Sequence, residues 1–245
     1  NLNFRRALQL TLDPSELVYR VIKIPGYVPG TTLFPTWLKG TDGPFRQESP
    51  PPPIRPDRDR ARAYLAAAKT ELGLDEFPPL VVLSSDTPLA RKHSEYMQSE
   101  LKKHLNLDMK IDRQIFKQRL AKMRAGEFDM VMSGWGPDFD DPLTFGDLFA
   151  SWNLQNRGRY NNPELDAQIR IAQGSIDTKV RMDAFGEIQR ILIDQAVLLP
   201  DYERGTVFVA DPRLQNLGRR AIGPDPDYSR VTLVDPGSEL KAPDN

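Results

Sequence analysis

Apolar residues recur at helical spacing from the start of the chain, where Leu2, Phe4, Ala7, Leu8 and Leu12 share one side of a helix. Asp13-Pro14-Ser15-Glu16 opens a second helix, to about Ile22. Asp caps, Pro suits the first helical position, and Glu16 completes a capping box. Residues 23–56 hold many Pro and Gly and show no period. Their apolar members (Tyr27, Val28, Leu33, Phe34, Trp37, Leu38) predict an ordered loop packed on a core, since a free linker would be more polar. Asp57 to Gly73 reads as a helix, with Ala61, Tyr64, Leu65, Ala68 and Leu72 on one face and Gly73 as its stop.

The period then alternates. Leu80 to Ser84 predicts a strand, Leu89 to His104 a helix, Leu107 to Asp112 a strand, Ile115 to Ala125 a helix and Phe128 to Ser133 a strand. Strands that alternate with helices pair in parallel through right-handed crossovers, so the fold class is α/β with a parallel β-α-β-α-β core and flanking helices. Downstream the pattern is helical: Asp141-Pro142 to about Phe149, Asn162-Pro163 to about Ala172, and Asp177 to Gln195. Val197 to Tyr202 and Thr206 to Ala210 read as strands, and little regular structure is expected beyond Asp211.

Composition narrows the function. The 245 residues carry 33 Lys+Arg against 34 Asp+Glu, a net charge of −1, which argues against a general nucleic-acid binder. No run approaches the length of a membrane-spanning helix. The absence of Cys removes disulfides, thiolate zinc sites, Fe–S clusters and thiol nucleophiles. The opening Asn1-Leu2-Asn3-Phe4 has no Met and no signal pattern, and reads as the interior of a longer protein.

The stretch richest in chemistry is Ser133-Gly134-Trp135-Gly136-Pro137-Asp138-Phe139-Asp140-Asp141-Pro142. It follows a predicted strand, and open α/β sheets bind ligands outside the carboxyl ends of their strands. Gly134 and Gly136 admit close backbone approach, Trp135 offers a flat wall, and the carboxylates suit a cationic guest. Asp141, directly before Pro142, is accounted for as a helix cap. Phe139 stands at the third glycine position of a dinucleotide loop, and no Lys-Ser or Lys-Thr follows, so both phosphate-loop motifs fail. An EF-hand fails too, because Pro142 and Leu143 occupy the positions of a ligand and a glycine. His93 and His104 lie eleven residues apart, about 16 Å along a helix at about 1.5 Å per residue, too far to share a metal. Arg157-Gly158-Arg159-Tyr160 reads as a loop with ordinary surface charges rather than an RNA contact. Asp138 and Asp140 form a carboxylate pair that general acid–base catalysis would use. A carboxylate-dependent hydrolase is therefore the rival to a binding protein.

The order of these features resembles the C-terminal half of an extracellular solute-binding protein of the oligopeptide/dipeptide/nickel class, family 5, the receptors of ABC importers. The resemblance rests on Phe4-Arg5-Arg6-Ala7-Leu8-Gln9-Leu10-Thr11-Leu12-Asp13 and on the Pro56–Gly73 helix before a Pro-flanked strand. It continues through Gly134-Trp135-Gly136-Pro137-Asp138 with Asp141-Pro142 and Phe145, then Tyr160-Asn161-Asn162-Pro163-Glu164-Leu165-Asp166, then the helix from Arg181. It covers about residues 1–210.

The resemblance implies a type II periplasmic-binding-protein fold of two lobes around a cleft. Residues 1–205 would be the C-terminal ligand-binding lobe, and 206–245 would return to an N-terminal lobe absent from this sequence. It implies a non-enzymatic receptor for peptides or similar small solutes, working with ABC-transporter permease subunits, without cofactor, metal or nucleic acid. Its location would be periplasmic or extracytoplasmic, with a lipid anchor at the protein's N-terminus as one means of attachment. In peptide-binding members the motif's Asp pairs with the peptide ammonium while the Gly and Trp residues contact the peptide. Those roles would fall on Asp138, Gly134, Trp135 and Gly136. Some oligopeptide binders carry an Arg three residues before the Trp; here that residue is Met132.

Overall fold

The computed structural model describes residues 1–220, 222–223 and 225–234. Leu2–Thr11 forms α1, capped by the Asn1 side chain, which accepts from the Phe4 N–H at 2.9 Å. Pro14–Glu16 (α2) starts on the Asp13 cap and continues as a π-helix over Leu17–Ile22. Val28–Pro29 (β1) and one helical turn, Phe45–Glu48 (α3), punctuate the long loop. Arg58–Leu72 (α4) runs from the Asp57 cap to Gly73, whose φ of +63° suits glycine.

The α/β alternation follows as Leu80–Ser85 (β2), Pro88–Leu105 (α5), Met109–Gln114 (β3), Phe116–Ala125 (α6) and Met130–Val131 (β4). After it come Leu143–Gly146 (α7), Pro163–Gly174 (α8), Thr178–Asp194 (α9), Tyr202–Glu203 (β5), Leu214–Gln215 (β6) and Thr232–Leu233 (β7).

The central sheet has the order β3-β2-β4 and is parallel throughout, with Leu80 opposite Met109, Val82 opposite Met130 and Leu83 opposite Val131. Val81, Leu83, Met130 and Val131 are strand residues, as the pattern requires. From β2 the chain steps to one neighbour through α5, then back past β2 through α6. Right-handed crossovers in opposite directions place these helices on opposite faces. On the α5 face, Leu80 and Val82 pack with Met97 and Leu101, and with Ala7, Leu8, Ala61 and Leu65 from α1 and α4.

A second core belongs to the helical half. Phe145, Leu165, Ile169, Phe185 and Ile188 surround Phe34 and Phe45 of the long loop, which are fully buried. That burial explains how a Pro-rich segment without period stays ordered; truncating Phe185 to Ala would cost about 3–5 kcal/mol. The halves are tied by α1. Arg5 Nε donates to Gln195 O at 3.0 Å, Arg6 Nη2 to Asp194 O at 3.2 Å and Gln9 Nε2 to Ile193 O at 3.0 Å. The Asp194 and Gln195 carbonyls take no backbone N–H at the end of α9, so the arginines meet both orphan acceptors and the negative end of the helix dipole, while Ile193 O is shared with the Ala196 N–H at 3.0 Å.

Several elements differ from the sequence pattern. Pairing in the strand expected over Phe128–Ser133 is confined to Met130–Val131, flanked by hydrogen bonds from the Asp129 N–H to Val81 O and from the Met132 N–H to Leu83 O. The helix expected to reach Phe149 is one turn, followed by turns to Ser151. Of Val197–Tyr202 only Tyr202 is in a strand, where Tyr202–Glu203 pairs antiparallel with Val28–Pro29. Thr206–Ala210 forms no strand; its alternation finds no partner among the described residues. Past Asp211, β6 and β7 form one short antiparallel pair. Part of the 206–245 segment, residues 221, 224 and 235–245, lies outside the described residues.

Candidate functional site

The loop from Ser133 to Pro142 leaves the carboxyl end of β4. Its entry is held by the ladder, where Met132 N–H donates to Leu83 O at 2.9 Å, and by Arg119, whose Nη1 donates to Met132 O at 2.9 Å. Its exit is held harder. Asp141 accepts the Leu143 N–H at 2.9 Å and takes Arg181 Nη2 at 2.7 and 2.8 Å on its two oxygens. Arg181 Nε donates to Ala172 O at the end of α8, so this ion pair pins the loop to both α8 and α9. The N-cap position of the turn falls on Pro142 and not on Asp141 as expected; the Asp141 carboxylate makes only the local bond from the Leu143 N–H, and its main partner is an arginine forty residues away.

Thr144, 3% exposed, holds the middle of the loop from beneath. Its hydroxyl accepts the Asp138 N–H at 3.0 Å and faces Trp135 Nε1 at 3.5 Å, a weak contact at that distance. Beside Thr144, the Phe145 ring packs edge-on against Trp37 with centroids 6.1 Å apart. Trp37 is 42% exposed, so the long loop contributes a second open indole near the site. The sequence suggested neither Thr144 nor Trp37 as site residues. Thr144 could be sought only as a hydroxyl buried in the turn after Asp-Pro, and Trp37 carries no positional signal.

Gly134, Trp135, Gly136 and Asp138 all lie on the exposed stretch of the loop. The two glycines stand in open space: a side chain added at either meets no atom within 4 Å, and neither has a left-handed φ. The fold therefore does not require glycine at these positions. Trp135 is 37% and Phe139 46% exposed. The Asp138 and Asp140 carboxylates are exposed and take no hydrogen bond or ion pair from the described residues. Burial pushes the nearby Asp147 carboxyl above its ordinary value.

Other candidates resolve into structure. His93 is buried, with Nε2 3.3 Å from Asp201, and His104 lies 3.2 Å from Glu100, so the two are on one helix but beside different carboxylates. Arg157 donates to Gln155 and Arg159 to the Ala125 carbonyl. Among the described residues no His/Cys/Asp/Glu cluster could hold a metal, and no helix is long and apolar enough to cross a membrane.

This lobe has known counterparts. The sequence model of the bacterial extracellular solute-binding proteins, family 5 (middle region), matches residues 1–156. The chain belongs to this family. Among family 5 relatives, the dipeptide-binding protein DppE of Bacillus subtilis is 26% identical over 91% of this chain and 41% of its own length. A crystal structure of a peptide-binding protein of a peptide ABC transporter superposes with a TM-score of 0.77 and 30% identity, covering 82% of this chain and 90% of that one. Listeria monocytogenes OppA bound to peptide gives a TM-score of 0.84 and 32% identity, over 96% of this chain and 45% of that one. The fold is that of the type II periplasmic binding proteins. The chain spans about four-tenths of the length of the curated relatives it matches.

Proposed function

We propose that this chain is the C-terminal ligand-binding lobe, residues 1–205, of the substrate-binding component of an ABC importer. Its ligand is a peptide or another small solute with a cationic end, and it is not transformed. Gly134, Trp135, Gly136 and Asp138 are the ligand-binding residues. The observation that carries this reading is the mismatch between the loop and its own fold: an unpaired carboxylate, an open indole and two glycines without structural need share one exposed stretch at the sheet's carboxyl edge. A guest explains all of them. Its ammonium pairs with Asp138, its backbone runs over the glycines, and its side chain rests on Trp135. DppE and OppA, whose names state dipeptide and oligopeptide binding, belong to the same family.

The exposed loop is one wall, and ligand sites normally bury most of the ligand surface. An N-terminal lobe of the same protein supplies the other wall, and residues 206–245 return toward it. Val207, Phe208 and Val209, exposed at 61%, 51% and 99%, support that course, because such a run has more to gain from a partner than from water. The protein acts outside the cytoplasmic membrane and delivers its ligand to permease subunits. The hydrolase alternative draws no support: neither Asp138 nor Asp140 has a described side chain positioned to tune or orient it.

The test is calorimetric titration of short alanine peptides, free and N-acetylated, into the full-length protein. Free peptides bind, and acetylation weakens binding by about a hundredfold or more, as expected for breaking a buried ion pair. Equal binding of the two forms, or release of cleaved product, overturns the reading. Residues 1–245 alone are expected to bind the same peptides more weakly than the full-length protein.

A further inference from the structure

Arg119 is a half-buried cation without an anion among the described residues, and it stands at the entry of the ligand loop. It is the fourth residue of α6. Nη1 donates to Met132 O at 2.9 Å and lies 3.8 Å from Met123 Sδ. Nε is buried and unpartnered, and no described carboxylate lies within 4 Å of the group. Arg46, Arg58 and Arg181, also half-buried, are neutralised, by Glu203 at 3.2 Å, Glu100 at 3.6 Å and Asp141 at 2.7 Å; Arg5, Arg6 and Arg157 share the lack of a described carboxylate, but only Arg119 is tied to the entry of the loop. Burial depresses the Arg119 pKa with nothing to oppose it, whereas at Arg46 the Glu203 charge pulls back.

The surroundings deepen the deficit. Neighbouring carboxylates are engaged elsewhere: Asp112 with Lys122 and Gln114 at 2.5 Å each, and Asp129 with the Val81 N–H at 2.7 Å. Helix α6 has no acidic residue in its first turn and no side-chain cap. Unpaired charge is expensive to desolvate. The nearby Ile115 and Phe116 are 60% and 68% exposed, and the guanidinium carbon lies 5.8 Å from the Phe116 ring centroid. A cation and an apolar platform thus flank the entry of the loop, while a carboxylate and aromatic rings occupy its far side.

Resting on the peptide-binding reading above, we propose that Arg119 contacts the ligand and recognises one of its carboxylates, so that the loop reads both charges of a zwitterionic or acidic peptide. With Nη1 already tied to Met132 O, the guanidinium is pre-oriented and Nη2 is the donor left for the guest. Six residues separate Met132 from Asp138, a span of at most about 20 Å. A short extended peptide bridges that range at about 3.3 Å per residue.

The experiment titrates the full-length protein with alanine peptides of two to five residues against their C-terminal amides, and with Ala-Glu-Ala amide against Ala-Gln-Ala amide. The parent protein prefers the carboxylate-bearing member of one pair by about tenfold or more. Preference in the first pair assigns the ligand's C-terminus, and preference in the second an acidic side chain. Arg119→Gln removes that preference but keeps the penalty for N-acetylation; Arg119→Lys retains part of it. Circular dichroism checks that the variants fold, and the parent's own ratios need no variant. Peptide binding with less than about threefold preference in both pairs, or an Arg119→Gln protein that keeps the preference, overturns the proposal alone. Failure of every peptide to bind overturns the peptide reading and this proposal with it.

Discussion

Asp138 and Asp141 lie three positions apart and sit in opposite settings. Asp141 is bound on both oxygens by Arg181 and also holds the Leu143 N–H. Asp138 offers its carboxylate to solvent while only its backbone is tied, to Thr144. The glycines repeat the contrast. Gly146, in the anchored turn, has room for nothing: a Cβ there would meet Phe185 ring carbons at 2.8 and 3.0 Å. Gly134 and Gly136 face open space. One end of the loop is spent on the fold, and the other is held in place yet left unsatisfied. That division is what a binding loop on a rigid scaffold needs.

The sharpest way to break the comparison is at Asp138. Asp138→Asn in the full-length protein is expected to weaken free-amino peptides by about a hundredfold to a few thousandfold, from about 3–5 kcal/mol for a lost buried pair. Its thermal midpoint stays unchanged, since the folded lobe gives the carboxylate no partner. N-acetylation then costs the parent much and the variant little, read by calorimetry; equal losses in both proteins show that the ammonium and Asp138 do not meet.

Next come the glycines. Gly146→Ala is expected to destabilise the lobe by about 1–3 kcal/mol through overpacking against the buried Phe185 ring. Gly134→Ala and Gly136→Ala leave the denaturation midpoint within about 0.5 kcal/mol of the parent while weakening ligand binding. A stability loss at Gly134 equal to that at Gly146 removes the distinction between the two ends.

Asp141→Asn follows, at about 1–2 kcal/mol of stability, discounted from a fully buried pair because both side chains reach solvent. Arg181→Met in the same background adds little further loss, since the two residues act as one unit. Ligand affinity measured at a temperature where both proteins are folded changes far less than in Asp138→Asn.

The smallest effect is a pH dependence in the anchored turn. Burial raises the Asp147 pKa above its ordinary value of 3.8. A raised carboxyl favours the fold while protonated, so its contribution is present at pH below the unfolded value and fades as pH rises through the folded one. Asp147→Asn is therefore expected to raise the melting temperature slightly at neutral pH, with the gain vanishing toward pH 4. A gain independent of pH assigns the effect to packing instead of charge.

Much of the sheet half was legible because local pattern and tertiary environment agree there. Apolar runs of strand length between amphipathic helices leave few topologies once crossovers are right-handed. Caps at Asp57 and Asn162 and the stop at Gly73 act within one turn of the residues that encode them. The helical half was less legible. Nothing local says that Phe34 and Phe45 from an aperiodic loop fill the core of α8 and α9, or that Thr206–Ala210 lacks a strand partner. In the site, the Gly-Trp-Gly-x-Asp stretch stood out by composition, whereas Thr144, Trp37 and Arg119 did not, since their relevance arises from contacts across the fold.

The sequence by itself determined the α/β alternation, the family and the loop that bears the chemistry, because each is written in residues close together in the chain. Only the tertiary structure decided which carboxylate is spent and which is free. That depends on Arg181, forty positions downstream, reaching Asp141 rather than Asp138. It also decided that Arg119 is half-buried without an anion among the described residues, because charge balance is settled by what surrounds a side chain in space and not by its neighbours in sequence.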